Sequence, residues 1–232
     1  MDSAPLVLVP GLLCDAQLWS QQVGTLRASA TWIADVTRDD SMAGMASRAL
    51  AEAPYPEFAL AGLSMGGYVA MEMMRQAPGR VRRLALLDTQ ARADTPEATE
   101  RRLALIELAR RGKFMGVTER LLPLLLHRSK LRDERLVGIV KAMAQNVGKD
   151  AFLRQQKSIM GRIDSRESLR AIGCPTLVLC GDEDLLTPVD RHREMATLIP
   201  GARLEIVAGC GHLSTLEKPV EVNRALQAWL DR

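Results

Sequence analysis

Short apolar runs recur along the chain, each closed by turn residues. They are Leu6-Val7-Leu8-Val9 before Pro10-Gly11, Trp32-Ile33-Ala34 before Asp35, and Phe58-Ala59-Leu60-Ala61 before Gly62. Leu84-Ala85-Leu86-Leu87 before Asp88, Thr176-Leu177-Val178-Leu179-Cys180 before Gly181, and Leu204-Glu205-Ile206-Val207 before Gly209 complete the set. Apolar runs of this kind suit strands buried on both faces, as in a parallel sheet covered by helices. Helix-like stretches lie between them, at about residues 15–28, 42–52, 65–77, 189–199 and 217–231, with Pro78-Gly79 ending the third and Pro200-Gly201 the fourth. The alternation predicts an α/β fold, a mostly parallel open sheet with helices on both faces and right-handed crossovers.

The rhythm breaks between about residues 96 and 170, where no strand-like run occurs. There Leu136, Ile139, Val140, Met143 and Val147 fall at helical spacing, and Arg101-Arg102-Leu103, Ile106 and Arg110-Arg111 read as an amphipathic helix. A long run of helices between two strands is an insertion over one end of the sheet. The expected division is a core of residues 1–95 and 166–232 with an inserted helical cap of residues 96–165. Leu103, Ile106, Leu121, Leu122, Leu125 and Met143 are its candidate wall residues.

Charge sharpens this division. Residues 92–170 hold eighteen Lys/Arg against ten Asp/Glu, a net +8, while the rest of the chain nets −5 within an overall +3. This positive segment suggests a substrate that is anionic or bound to an acidic carrier; no nucleic-acid partner is expected, and the oligomeric state is left open. Of the 232 residues 47% are hydrophobic and 25% charged, which excludes a disordered or collagen-like chain. No apolar run reaches the length of a membrane span, and the opening Met-Asp-Ser-Ala-Pro is unlike a secretory signal, so the expectation is a cytoplasmic protein without a membrane partner. Cys14, Cys174, Cys180 and Cys210 form no C-x-x-C pair and read as free structural thiols rather than zinc ligands.

The stretch Ala61-Gly62-Leu63-Ser64-Met65-Gly66-Gly67 places one hydroxyl between glycines, directly after a strand and before a helix. In an open α/β sheet that is the end where ligands collect, and glycines suit a sharp strand-to-helix turn. A serine nucleophile needs a base, an acid to orient it and donors for an oxyanion. Of the three histidines, His127 lies in the basic segment, His192 on a helix where it should be solvated, and His212 on a loop after the last strand. His212 is the candidate base. Among the carboxylates after the preceding strand, Asp184 has the spacing to reach it, and Asp88, at the end of another strand, is the rival.

The stretches "LVLVPGL", "AGLSMGGYVAMEM", "RVRRLALLDT", "CPTLVLCGDEDLLTP" and "GCGHLSTLEKP" together resemble the α/β-hydrolase superfamily, in the capped branch of enol-lactonases, carboxylesterases and carrier-protein methylesterases. They run in the family's order over nearly the whole chain. The resemblance implies a serine hydrolase that cleaves a small carboxylic ester, lactone or thioester through an acyl-enzyme, with Ser64, Asp184 and His212 as its triad. It also implies an oxyanion hole from the backbone N–H groups of Leu12 and Met65, and no metal or organic cofactor. One departure stands out: the family's His-Gly-x-x-Gly is Pro10-Gly11-Leu12-Leu13-Cys14 here, which sets Cys14 near the pocket. A lyase or C–C bond hydrolase using the same triad, or a ligand-binding protein on this fold, are the alternatives.

Overall fold

All six apolar runs become strands of one parallel sheet in the computed structural model, which describes residues 4–232 apart from the Lys113 side chain. Met1, Asp2 and Ser3, part of the opening from which no leader was expected, lie outside the described residues. The strands are β1 (Leu6–Val9), β2 (Thr31–Ile33), β3 (Phe58–Leu63), β4 (Val81–Leu87), β5 (Thr176–Gly181) and β6 (Arg203–Val207). Their order across the sheet is β2-β1-β3-β4-β5-β6. The chain therefore runs outward from β1 to β2, then crosses back to β3 and continues the other way. Such a switch opens a crevice at the carboxyl ends of β1 and β3, and Ser64 follows β3 directly.

β1, β3 and β5 bury both faces, as their apolar runs require, while the edge strands β2 and β6 are partly exposed. On one face Leu6, Leu8, Ala61, Leu63, Leu87 and Leu179 pack with Leu226 and Trp229 of the last helix and with Val140 and Met143 of the inserted segment. On the other, Val7, Val9, Leu60, Leu84, Leu86 and Val178 pack beneath α1 (Met42–Glu52), α2 (Met65–Gln76) and Met195 of the helix that follows β5. The inserted segment begins with α3 (Pro96–Leu108) and continues through the short α4 (Leu122–Leu125) to α5 (Glu134–Met160), which is kinked at Gly148. α6 (Arg166–Leu169) leads back to β5, and no strand occurs between β4 and β5 among the described residues. α7 (Val189–Leu198), α8 (Ser214–Glu217) and α9 (Pro219–Leu230) complete the fold. No helix among the described residues is long and apolar enough to cross a membrane.

Two expectations need correction. The stretch 15–28 is not a helix: it makes one short 3₁₀ turn at Ala16–Trp19 and then irregular turns, with Gly24 left-handed at φ 79°. The left-handed Gly24 is incompatible with a continuing helix, and the buried Gln22 amide beside it reaches across the chain to the Thr215 carbonyl and Asn223 side chain. Among the candidate wall residues, Ile106, Leu122 and Met143 are buried, whereas Leu103 is half exposed on the outer side of α3.

Candidate active site

Ser64 sits on a backbone that few residues tolerate, with φ 56° and ψ −118°. A non-glycine residue there costs on the order of 1–3 kcal/mol, so surrounding contacts must hold it. They do: the Ser64 N–H donates to the Leu87 carbonyl at 3.0 Å, and the Ser64 carbonyl accepts from Gly67 N–H at 2.9 Å and the Thr89 hydroxyl at 2.8 Å. The flanking glycines answer a lack of space. A Cβ on Gly62 would lie 2.2 Å from the Gly66 carbonyl oxygen, and one on Gly66 would lie 2.1 Å from that of Val9. The turn is thus drawn so tightly against β1 that the serine side chain projects free at the head of α2.

Projecting there, Ser64 Oγ lies 2.9 Å from His212 Nε2, and His212 Nδ1 lies 2.8 Å from Asp184 Oδ2. Nδ1–H donates to the carboxylate, which leaves the Nε2 lone pair facing the serine hydroxyl. Asp184 is itself fixed: Oδ1 accepts from Leu186 N–H at 2.9 Å and Thr187 N–H at 3.0 Å, and Oδ2 also accepts from the Thr187 hydroxyl at 2.7 Å. Burial alone would raise the Asp184 carboxyl, but the His212 charge and hydrogen bond, with the Thr187 donors, hold it below the usual carboxylate range. Burial alone would lower His212, and the Asp184 carboxylate, helped by Asp88 and Glu217, lifts it above the usual histidine value. The His212 imidazole that faces Ser64 is therefore more basic than a free one.

The rival Asp88 lies nearby, fully buried at φ 44°, and is occupied elsewhere. It accepts from Gly181 N–H at 3.1 Å through Oδ1, and through Oδ2 from the Ser214 N–H at 3.3 Å and the Ser214 hydroxyl. Burial, then the charge of Asp184, pushes its carboxyl well above the usual range. His192 is not solvated as its helix suggested. It is wholly buried, with Nε2 accepting from Thr89 N–H at 2.9 Å and Nδ1 donating to the Pro188 carbonyl at 3.3 Å, and burial pushes it down to about 4. His127 lies at the end of α4, its Nε2 3.2 Å from Glu183 Oε1.

Met65 opens α2, so its N–H has no intrahelical acceptor. The loop carrying Leu12 abuts the serine, since a Cβ on Gly11 would lie 3.3 Å from Ser64 Cβ. Cys14 lies beside the same loop; burial pushes its thiol up to about 12, as an inert buried thiol requires, and all four cysteines are free. Two residues that the sequence reading missed hold these loops. Gln155 of α5, fully buried, accepts from Leu13 N–H at 3.1 Å and donates to the Val36 carbonyl at 3.2 Å. Glu217, 3% exposed, accepts backbone N–H groups on either side of His212. A polar residue inside a helical pattern reads as solvent-facing, so neither carried a sequence signal beyond its presence.

The chain has counterparts in fold and sequence. An esterase structure from Thermogutta terrifontis superposes with a TM-score of 0.89 at 29% identity, covering 98% of this chain and 89% of that one. A pimeloyl-acyl-carrier-protein methyl ester esterase from Nitrosomonas europaea is 29% identical over 70% of this chain and 67% of its own length. A Mycobacterium tuberculosis protein with the provisional name non-heme bromoperoxidase BpoC is 30% identical over 71% of this chain. The chain spans 64% of that relative's length, so the match is to part of a larger protein. The family described as alpha/beta hydrolase fold matches residues 9–219, nearly the whole chain, and the chain belongs to that family.

Proposed function

We propose that the chain is a serine hydrolase of small carboxylic esters or related acyl bonds such as lactones and thioesters. Ser64 attacks the acyl carbon while His212 takes its proton, and Asp184 holds the imidazole tautomer and stabilises the imidazolium. The Leu12 and Met65 N–H groups receive the oxyanion, His212 protonates the leaving group, and water repeats the cycle on the acyl-enzyme. Residues 96–165 act as a cap over the carboxyl ends of the strands and bound the pocket. The observation that carries this reading is the continuous Ser64–His212–Asp184 hydrogen-bond chain, at 2.9 and 2.8 Å, on a strained turn. The relatives named as esterases support the reaction class.

The test is a panel of acyl esters of graded chain length, with lactones and thioesters, turned over by wild type and by Ser64→Ala. Activity on one class that vanishes in Ser64→Ala supports the reading and names the bond. Turnover persisting in Ser64→Ala would instead assign His212 to proton chemistry of the lyase kind.

A further inference from the structure

We propose that Glu217 is a positioning residue for His212, clasping the His212 loop to Leu125–His127 of the inserted segment so that the imidazole stays in register with Ser64. The inference rests on the serine-hydrolase reading above and adds a control point to it.

Three backbone donors converge on one buried carboxylate. Glu217 Oε1 accepts from Gly211 N–H at 3.1 Å and Leu213 N–H at 3.2 Å, the residues on either side of His212. Its Oε2 accepts from His127 N–H at 2.7 Å, on the inserted segment. The same junction is tied a second time, because the Leu125 carbonyl accepts from His212 N–H at 3.1 Å and Leu213 N–H at 3.2 Å. The two backbones touch: a Cβ on Gly211 would lie 2.5 Å from His127 N, so any other residue there would force them apart. His127 then reaches the acid side as well, through its ring and Glu183, the neighbour of Asp184. One short stretch of the inserted segment thus contacts the loops of both the base and its orienting acid. A carboxylate used only to cap its own turn would need the first two bonds and not the third.

Glu217 also acts through its charge. The carboxylates that face His212 are Asp184, Asp88 and Glu217, all raising its affinity for a proton, while His192 lies on the Asp88 side. His127 is in contact with Glu217 itself, and Lys218 and Asp182 lie near the adjoining Cys210. Removing the Glu217 charge alone leaves the other groups in place, so the His212 imidazole must become less basic.

The backbone dihedrals admit a second perturbation, in which a proline ring carbon displaces the Glu217 carboxylate. His127 has φ −57° and follows Leu126 at φ −123° and ψ 143°, both compatible with proline at position 127. H127P deletes the N–H that binds Glu217, and H127A keeps it while losing the same ring. The experiment compares E217Q, H127P and H127A by near-UV circular dichroism, steady-state kinetics on an activated ester, and an NMR titration of the imidazoles, only three in number. In E217Q, kcat should fall roughly 10- to 100-fold with KM little changed, as a small misplacement of a catalytic group requires. The His212 titration, and with it the acid limb of kcat/KM, should move to lower pH. H127P should lose kcat relative to H127A by a similar factor. The proposal is overturned if folded E217Q keeps the wild-type His212 titration, or if H127P and H127A have the same kcat. Since the titration needs no turnover, it judges Glu217 even if the ester panel rejects Ser64 as nucleophile.

Discussion

The ends of β4 and β5 offer the same residue types and reach different chemistry. After β4 stand Asp88 and Thr89, with His192 packed against them; after β5 stand Asp184 and Thr187, with His212 beyond. Both carboxyls and both imidazoles are buried. At β4 the polar atoms are spent on structural partners: Asp88 takes the N–H groups of Gly181 and Ser214 and the Ser214 hydroxyl, and His192 is held between Thr89 N–H and the Pro188 carbonyl. At β5 the backbone saturates only one oxygen of Asp184, and the other orients an imidazole whose far nitrogen faces Ser64. What separates a reactive constellation from structural glue is which atom is left unspent.

The largest effects should come from the β5 set. Ser64→Ala and His212→Ala should each lower kcat by at least ~10³ on an activated ester, and Asp184→Asn by a comparable factor through loss of the correct tautomer. Asp88→Asn should leave kcat within about tenfold yet lower stability by about 1–3 kcal/mol in chemical denaturation, because a buried acceptor is replaced in part by a donor. A crippled Asp88→Asn beside a mild Asp184→Asn would invert the comparison.

The two histidines should also part in their pH behaviour. In the proposed mechanism His212 works in its neutral form, and its affinity for protons is raised, so kcat/KM should climb with pH through a midpoint above the ordinary histidine value of about 6.5. His192 is depressed to about 4, so the folded state resists its protonation more than the unfolded chain does. Its contribution to stability is complete above about pH 6.5 and shrinks as pH falls toward 4, by up to about 3 kcal/mol. His192→Gln, whose amide can still accept from Thr89 N–H, should make thermal unfolding less sensitive to pH over that interval.

The smallest effect concerns the positive segment. Arg92 pairs with Glu194 at 2.7 Å, Arg128 with Glu183 at 3.8 Å and Lys157 with Asp40, all acids outside the segment, so part of its +8 is met by the rest of the chain. Any steering that remains should appear as a few-fold loss of kcat/KM for an anionic ester between about 20 and 300 mM salt, with a matched neutral ester unchanged. Equal salt responses for the two esters would reduce the segment's charge to a matter of solubility.

The sheet was legible because β1, β3 and β5, buried on both faces, leave uninterrupted apolar runs, and all six strands were read within a few residues. Ser64, His212 and Asp184 were legible because each follows a strand at the end where ligands gather, and because a chain with three histidines leaves few candidates for a base. The stretch 15–28 misled because its helical spacing registers neither the left-handed backbone of Gly24 nor the distant partners of the Gln22 amide. The burial of His192 was hidden for the same reason: a sequence states that a polar group exists, not which backbone atom it will meet. Glu217 and Gln155 are further instances, each satisfied by N–H groups far away in the chain or across a loop.

The account stands or falls on Ser64 being activated through His212 and Asp184 rather than through Asp88. The direct measurement is the rate of covalent labelling by a fluorophosphonate, followed by intact mass and peptide mapping, for wild type, Asp184→Asn and Asp88→Asn. The account predicts a single adduct on Ser64, slowed by roughly 10³ in Asp184→Asn and by less than about tenfold in Asp88→Asn. Labelling at another residue, or Asp88→Asn as the slower variant, would contradict it.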